Sequence, residues 1–119
     1  MKTTHLKIEF TFGTGLDKDA RGIPRGTKVE ALSEIDQAAL RRFGGSTRAS
    51  TFGTWFDMSE NRAYHESGGV LSVVVPAPRT RTEEKLLAGK VESMAFVIKL
   101  VLNQASVMVV TTPVNLQMV

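Results

Sequence analysis

The sequence predicts an α+β domain of the ferredoxin-like plan: a β-α-β-β-α-β sandwich, with an antiparallel sheet and two helices on one of its faces. Three observations predict it. Two capping boxes, Thr27 with Glu30 and Thr80 with Glu83, each open a stretch with helical apolar spacing. The stretches around them alternate or run apolar as strands do, in the order strand, helix, strand, strand, helix, strand. A chain of 119 residues, free of cysteine, is long enough to bury one modest core and is expected to be a single domain. The plan implies the sheet order 4-1-3-2, with the second face of the sheet left open.

From His5 to Thr14, Leu6, Ile8, Phe10 and Phe12 alternate with Lys7, Glu9, Thr11 and Gly13, the period of a half-buried strand. Leu16 to Gly26 carries Gly, Pro, Asp and basic residues without a period and is expected to be a long loop. Val29, Leu32, Ile35, Ala39, Leu40 and Phe43 then recur at helical spacing until Gly44 and Gly45 stop the run. Thr47 to Met58 and Ala63 to Ser67 form a hairpin about Ser59 to Arg62, and Gly68-Gly69 marks a bulge or kink.

Val70 to Val75 is apolar on both faces except at Ser72, as a central, doubly covered strand would be. Pro76-Ala77-Pro78 ends it, and the second helix is expected over Arg81 to Leu102. Leu87, Val91, Met94, Ile98 and Val101 make its buried stripe, while Phe96, Val97, Leu100 and Leu102 add apolar surface outside that stripe. Ser106 to Thr112 is the last strand, and Val114, Leu116 and Met118 alternate after Pro113 as a short extra C-terminal edge strand or a swapped arm. So much apolar surface on the second sheet face and on the second helix predicts a homo-oligomer, a dimer or higher.

The composition excludes several function classes. Without cysteine there is no disulfide, thiolate metal site or cysteine nucleophile, which fits a cytoplasmic protein. The N-terminal stretch has no signal-length apolar region, and Met94 to Leu102 contains Lys99 and is too short to span a bilayer, so no membrane role is expected. His5 and His65 stand in no metal-binding spacing, and the glycine-containing loop fits neither a dinucleotide nor a P-loop motif, so no metal or cofactor is implied. His65 and Glu66, adjacent in a strand, point to opposite faces and do not make a dyad.

The net charge of +3 permits an anionic partner. Following the topology, Arg41, Arg42, Arg48, Arg79 and Arg81 gather at the lower edge, where the second helix begins. Arginine forks suit phosphate or carboxylate, so this edge is the candidate ligand site. Arg41 and Arg42 equally suit a helix C-terminus, and Arg79 and Arg81 an ordinary loop. Trp55 and Tyr64 on the hairpin, with Phe96 and Leu100 on the second helix, are the candidate interface or stacking residues.

Phe43-Gly44-Gly45-Ser46-Thr47, Gly53-Thr54-Trp55, His65-Glu66-Ser67 and Asn103-Gln104-Ala105-Ser106-Val107 together resemble small uncharacterised bacterial and phage proteins of the same split βαβ type. The resemblance implies this fold and a phage-encoded accessory role, and no activity. The expected function is a non-enzymatic, homo-oligomeric protein that binds a nucleotide or a phosphate-bearing segment at the arginine edge. One alternative is a protein-interaction module, such as a phage inhibitor of a host defence protein, using Trp55, Tyr64 and the second helix. Another is a dimeric α/β-barrel-like enzyme for a small organic substrate, with His5, Tyr64, His65 and Trp55 as its polar and aromatic groups.

The heptapeptide TFGTGLD at Thr11 to Asp17 returns as TFGTWFD at Thr51 to Asp57. In the split βαβ plan these fall in parallel strands. The expectation is that Phe12 and Phe52 share the core face at similar heights, and that Gly13 and Gly53 leave room on the open face for a ligand or, preferably, a partner subunit.

Overall fold

The computed structural model describes residues 3–14 and 28–119, with the side chains of Trp55, Asp57 and Tyr64 outside the described set. Thr27, with its capping box, and the Leu16 to Gly26 loop also lie outside it. The elements are β1 (His5–Gly13), α1 (Lys28–Phe43), β2 (Thr47–Asp57), β3 (Arg62–Pro76), α2 (Arg81–Leu102) and β4 (Met108–Val114). They form one antiparallel sheet in the order β2-β3-β1-β4, the order the split βαβ plan requires.

The alternation in β1 decides which face is buried. Ile8, Phe10 and Phe12 turn inward with Leu71, Val73 and Val75 of β3, and the helices cover them with Ile35, Ala38 and Ala39 from α1 and Met94, Ile98 and Leu102 from α2. Phe10 is fully buried, its ring centroid 6.2 Å from that of Phe43 at the end of α1. Each large side chain removed from water in this way contributes about 1.5–3 kcal/mol. Thr80 caps α2 by accepting the Glu83 N–H at 3.1 Å, but Glu83 reaches one residue further back than a capping box requires, to the Arg79 N–H at 2.6 Å.

Among the described residues the opposite face has no second layer. Val74 of β3 and Met108 and Val110 of β4 keep 45%, 59% and 43% of their surface exposed there. Phe96 and Leu100 are likewise exposed on the outer side of α2.

Leu102, expected outside the buried stripe of α2, is fully buried, and Val29 and Leu40 of the expected α1 stripe are exposed. Four further expectations are corrected. Gly68 and Gly69 form neither bulge nor kink: pairing with β1 and β2 runs unbroken through both, and β3 is one strand of 15 residues. Their glycine identity has a steric cause instead. A Cβ on Gly68 would overlap the carbonyl oxygen of Phe12, and one on Gly69 would lie 2.8 Å from the Phe12 ring.

The C-terminal stretch adds no further strand. β4 passes through Pro113, which an edge strand tolerates because one side of its backbone is unpaired, and it ends at Val114. Beyond it, Leu116 donates its N–H to Thr4 Oγ1 at 3.1 Å. The start of β4 is also later than expected, at Met108 rather than Ser106.

The two TFGT stretches are not level. Phe12 and Ser50 both pair with Gly69, so Phe52 stands two residues, about 7 Å, beyond Phe12. Phe52 is on the helix side of the sheet but past the helices, 70% exposed, and its ring stacks on His65 with centroids 6.1 Å apart. The hairpin therefore projects beyond the end of β1.

Candidate functional site

Taking the C-terminal end of β1 as the top, the projecting hairpin creates a cleft of about 380 Å³ on the open face at the upper edge. Its base is glycine: Gly13 of β1 pairs with Gly68 of β3, and Gly53 of β2 adds a further position without a side chain. Nothing lies within 4 Å of a Cβ placed on Gly53, whereas one on Gly13 would collide with the Glu66 carboxylate and come 3.1 Å from Gln104 Oε1. Glu66 thus leans over the end of β1 from the projecting part of β3, meeting Gln104 from the other side.

Gln104 is placed by the way α2 ends. Asn103 adopts the left-handed conformation (φ 50°) that closes a Schellman turn, and Gln104 N–H reaches back to the Lys99 carbonyl at 2.9 Å. The turn swings the chain off the helix axis and brings Gln104, Ala105 and Ser106 to the mouth of the cleft. Thr11 and Thr51, on the open face, supply hydroxyls to the lining. Among the described lining residues Glu66 is the one that carries a charge, and none of them is Lys, Arg or His. A carboxylate facing hydroxyls and bare glycine backbone suits a ligand that brings hydrogen-bond donors and positive charge.

The five arginines do not share one site. Arg42 and Arg79 line a lower cleft of about 570 Å³ between the end of α1, the Pro76 to Arg79 link and the start of α2, where Lys90 and Glu83 join them. Arg42 is partly committed already: its Nε and Nη2 donate to Ser93 Oγ at 3.0 and 2.9 Å, and its Nη1 donates to the Ala38 carbonyl at 3.2 Å. Arg48 is engaged elsewhere, its fork donating to Asp36 Oδ1 and Oδ2 at 2.9 and 3.1 Å, which pins the edge strand β2 to α1. Hydrogen bonding to Asp36 raises the Arg48 pKa above its ordinary value, so the guanidinium keeps its charge. Arg41 is exposed and lines a separate depression with Glu34, Val97 and Val101, and Arg81 is exposed at the first turn of α2.

Trp55 and Tyr64 are register partners across the β2–β3 hairpin, and their side chains lie outside the described set. His5 is tied to Thr4, Nδ1 to Oγ1 at 2.8 Å, at the far end of the sheet from the upper cleft. Among the described residues no group of His, Asp and Glu is arranged to hold a metal ion, and no helix is long and apolar enough to cross a membrane. Sequence reasoning missed Glu66, Gln104 and Lys90. The face rule that separated Glu66 from His65 also puts Glu66 on the face of Gly53, the one signal available for it. Nothing local marks Gln104, because its position follows from where α2 ends over the sheet.

The sheet order, the helices on one face and the open second face define a ferredoxin-like α+β protein with a cleft at each edge. No family model matches the chain, and no curated protein matches its sequence. Solved structures do match it. A phage SAM lyase in complex with S-methyl-5'-thioadenosine superposes with a TM-score of 0.65 at 12% identity, over 95% of this chain and 84% of that one. The divalent ion tolerance protein CutA1 from Ehrlichia chaffeensis gives 0.60 at 8% identity, over 98% and 87%. The GlnK–ATP complex of B. subtilis gives 0.56 at 14% identity, over 96% and 84%. At such identities the likeness is one of fold.

Proposed function

We propose that this chain is a homo-oligomeric ferredoxin-like protein that binds a positively charged adenine nucleoside, of the S-adenosyl sulfonium class, in the upper cleft. One observation carries the reading: the Glu66 carboxylate stands over Gly13 with no cationic side chain among the described residues that line the cleft. A half-buried carboxylate with no counter-charge among the described residues favours a ligand that supplies one. The nucleoside part is supported by analogy, since the phage lyase is complexed with S-methyl-5'-thioadenosine and GlnK with ATP. Self-association is supported by Val74, Met108 and Val110, which give the open face an apolar surface beside the mouth of the cleft.

Titration calorimetry with S-adenosylmethionine and with its uncharged thioether counterpart, S-adenosylhomocysteine, tests the reading. The sulfonium is expected to bind about tenfold tighter, a preference of about 1.4 kcal/mol, and Glu66→Gln to erase that preference. Equal affinities in the unaltered protein would overturn it. Chromatography of the same mixtures for S-methyl-5'-thioadenosine separates a binding protein from a lyase: the proposal expects the nucleoside to be recovered intact, and its cleavage would make the protein an enzyme.

A second reading has its own observation, the convergence of Arg42, Arg79 and Lys90 on the lower cleft. There the chain binds an anion, a nucleotide or phosphate-bearing segment, through the part of the arginine edge that is concave.

A further inference from the structure

We infer that the lower cleft takes a small amphipathic anion, an apolar body the size of a fused ring pair carrying one carboxylate, sulfonate or phosphate. The inference rests on the anion reading of the lower edge and adds what the rest of the cleft requires. The volume of about 570 Å³ falls within the range of small-molecule sites, far more than a bare inorganic anion fills. Its apolar lining is Phe43, Val75, Pro78, Leu86 and Leu87, a surface that a bare ion would leave wet. Leu86 lines the cleft yet is 63% exposed, an apolar cost that an apolar ligand body would remove.

The charges sit where a single anionic group would finish such a ligand. Arg79 and Lys90 line the cleft from the link and from α2, and neither is held in an ion pair among the described residues. Among the described lining residues Glu83 is the one opposing carboxylate, and its Oε2 accepts the backbone N–H of Arg79, which holds it to the helix start rather than to either cation. Arg42 adds a third positive charge, with its position set by Ser93 and Ala38. Three cations against one engaged carboxylate leave the rim positive.

Three probes separate the parts of this inference: naphthoate, the neutral isostere naphthalenemethanol, and inorganic phosphate, each titrated into isotope-labelled protein and followed by amide NMR shifts. Naphthoate is expected to move the amides of Phe43, Val75, Ala77, Leu86 and Leu87, and to bind at least about tenfold tighter than either of the others. Arg79→Glu with Lys90→Glu should erase the preference for naphthoate over the alcohol. Both side chains are exposed, so an unchanged melting curve is expected to accompany the loss. Leu86→Ser should weaken naphthoate several-fold and leave phosphate unaffected. If phosphate binds as tightly as naphthoate at these residues, the amphipathic ligand is wrong and the anion reading stands. If the alcohol binds as tightly as naphthoate, or no probe moves these amides, the anion reading falls as well.

Discussion

Glu66 of β3 stands over Gly13 of β1 so closely that any side chain at Gly13 would have to displace its carboxylate. The two residues are not register partners. Gly13 pairs with Gly68, and Glu66 reaches it only because β3 continues past the end of β1. A strand overhang thus becomes a cleft with one charged wall.

Gly13 and Gly68 face each other across the ladder, yet alanine should affect them differently. At Gly13 the obstacle is the far end of a flexible side chain; at Gly68 it is the Phe12 carbonyl, fixed in the sheet. Gly68→Ala is expected to cost about 1–3 kcal/mol in urea unfolding, the range for overpacking, and Gly13→Ala clearly less. Gly13→Ala should instead show its effect in ligand affinity, by moving Glu66. A Gly13→Ala variant as unstable as Gly68→Ala would mean that Glu66 is rigidly held.

Arg48 and Asp36 form a two-pronged pair, with 29% and 40% of their side-chain surface exposed. At that exposure solvent screens most of the Coulomb attraction, and a double-mutant cycle with alanine should give a coupling of about 0.5–1 kcal/mol. Added salt should reduce it further. A coupling near zero at low salt would show that β2 is held to α1 by packing and the ladder alone.

The apolar open face predicts self-association. Light scattering behind gel filtration should report an oligomer for the unaltered chain and a monomer for Val74→Glu with Val110→Glu, with the far-ultraviolet dichroism of the two alike. Both positions are half-exposed and stand away from the helix-covered core, so charge there acts on association before it acts on folding. An unaltered chain that runs as a monomer at the same concentrations would refute the homo-oligomer.

Much of the fold was legible because its determinants are local. The alternation of Leu6, Ile8, Phe10 and Phe12, the helical spacing from Val29 to Phe43 and the Thr80 cap each belong to one element, and their order left few ways to connect them. The arginine edge was legible only as a tendency. Placing Arg41, Arg42, Arg48, Arg79 and Arg81 at one end of the sandwich follows from topology, but side chains near one edge still choose partners individually. Arg48 took Asp36 on α1, and Arg42 took Ser93 on α2.

The sequence by itself determined the kind and order of the strands and helices, which face of β1 is buried, and that the second sheet face is apolar. Those properties follow from period and composition, which a chain carries residue by residue. Tertiary structure alone decided the register. It set Phe52 two residues beyond Phe12, turned Gly68 and Gly69 from a suspected kink into a close approach to Phe12, and ended α2 where Gln104 meets Glu66 above Gly13. Register and helix placement depend on how far one element slides along another. That distance is fixed by packing between residues remote in sequence, not by any pattern within either element.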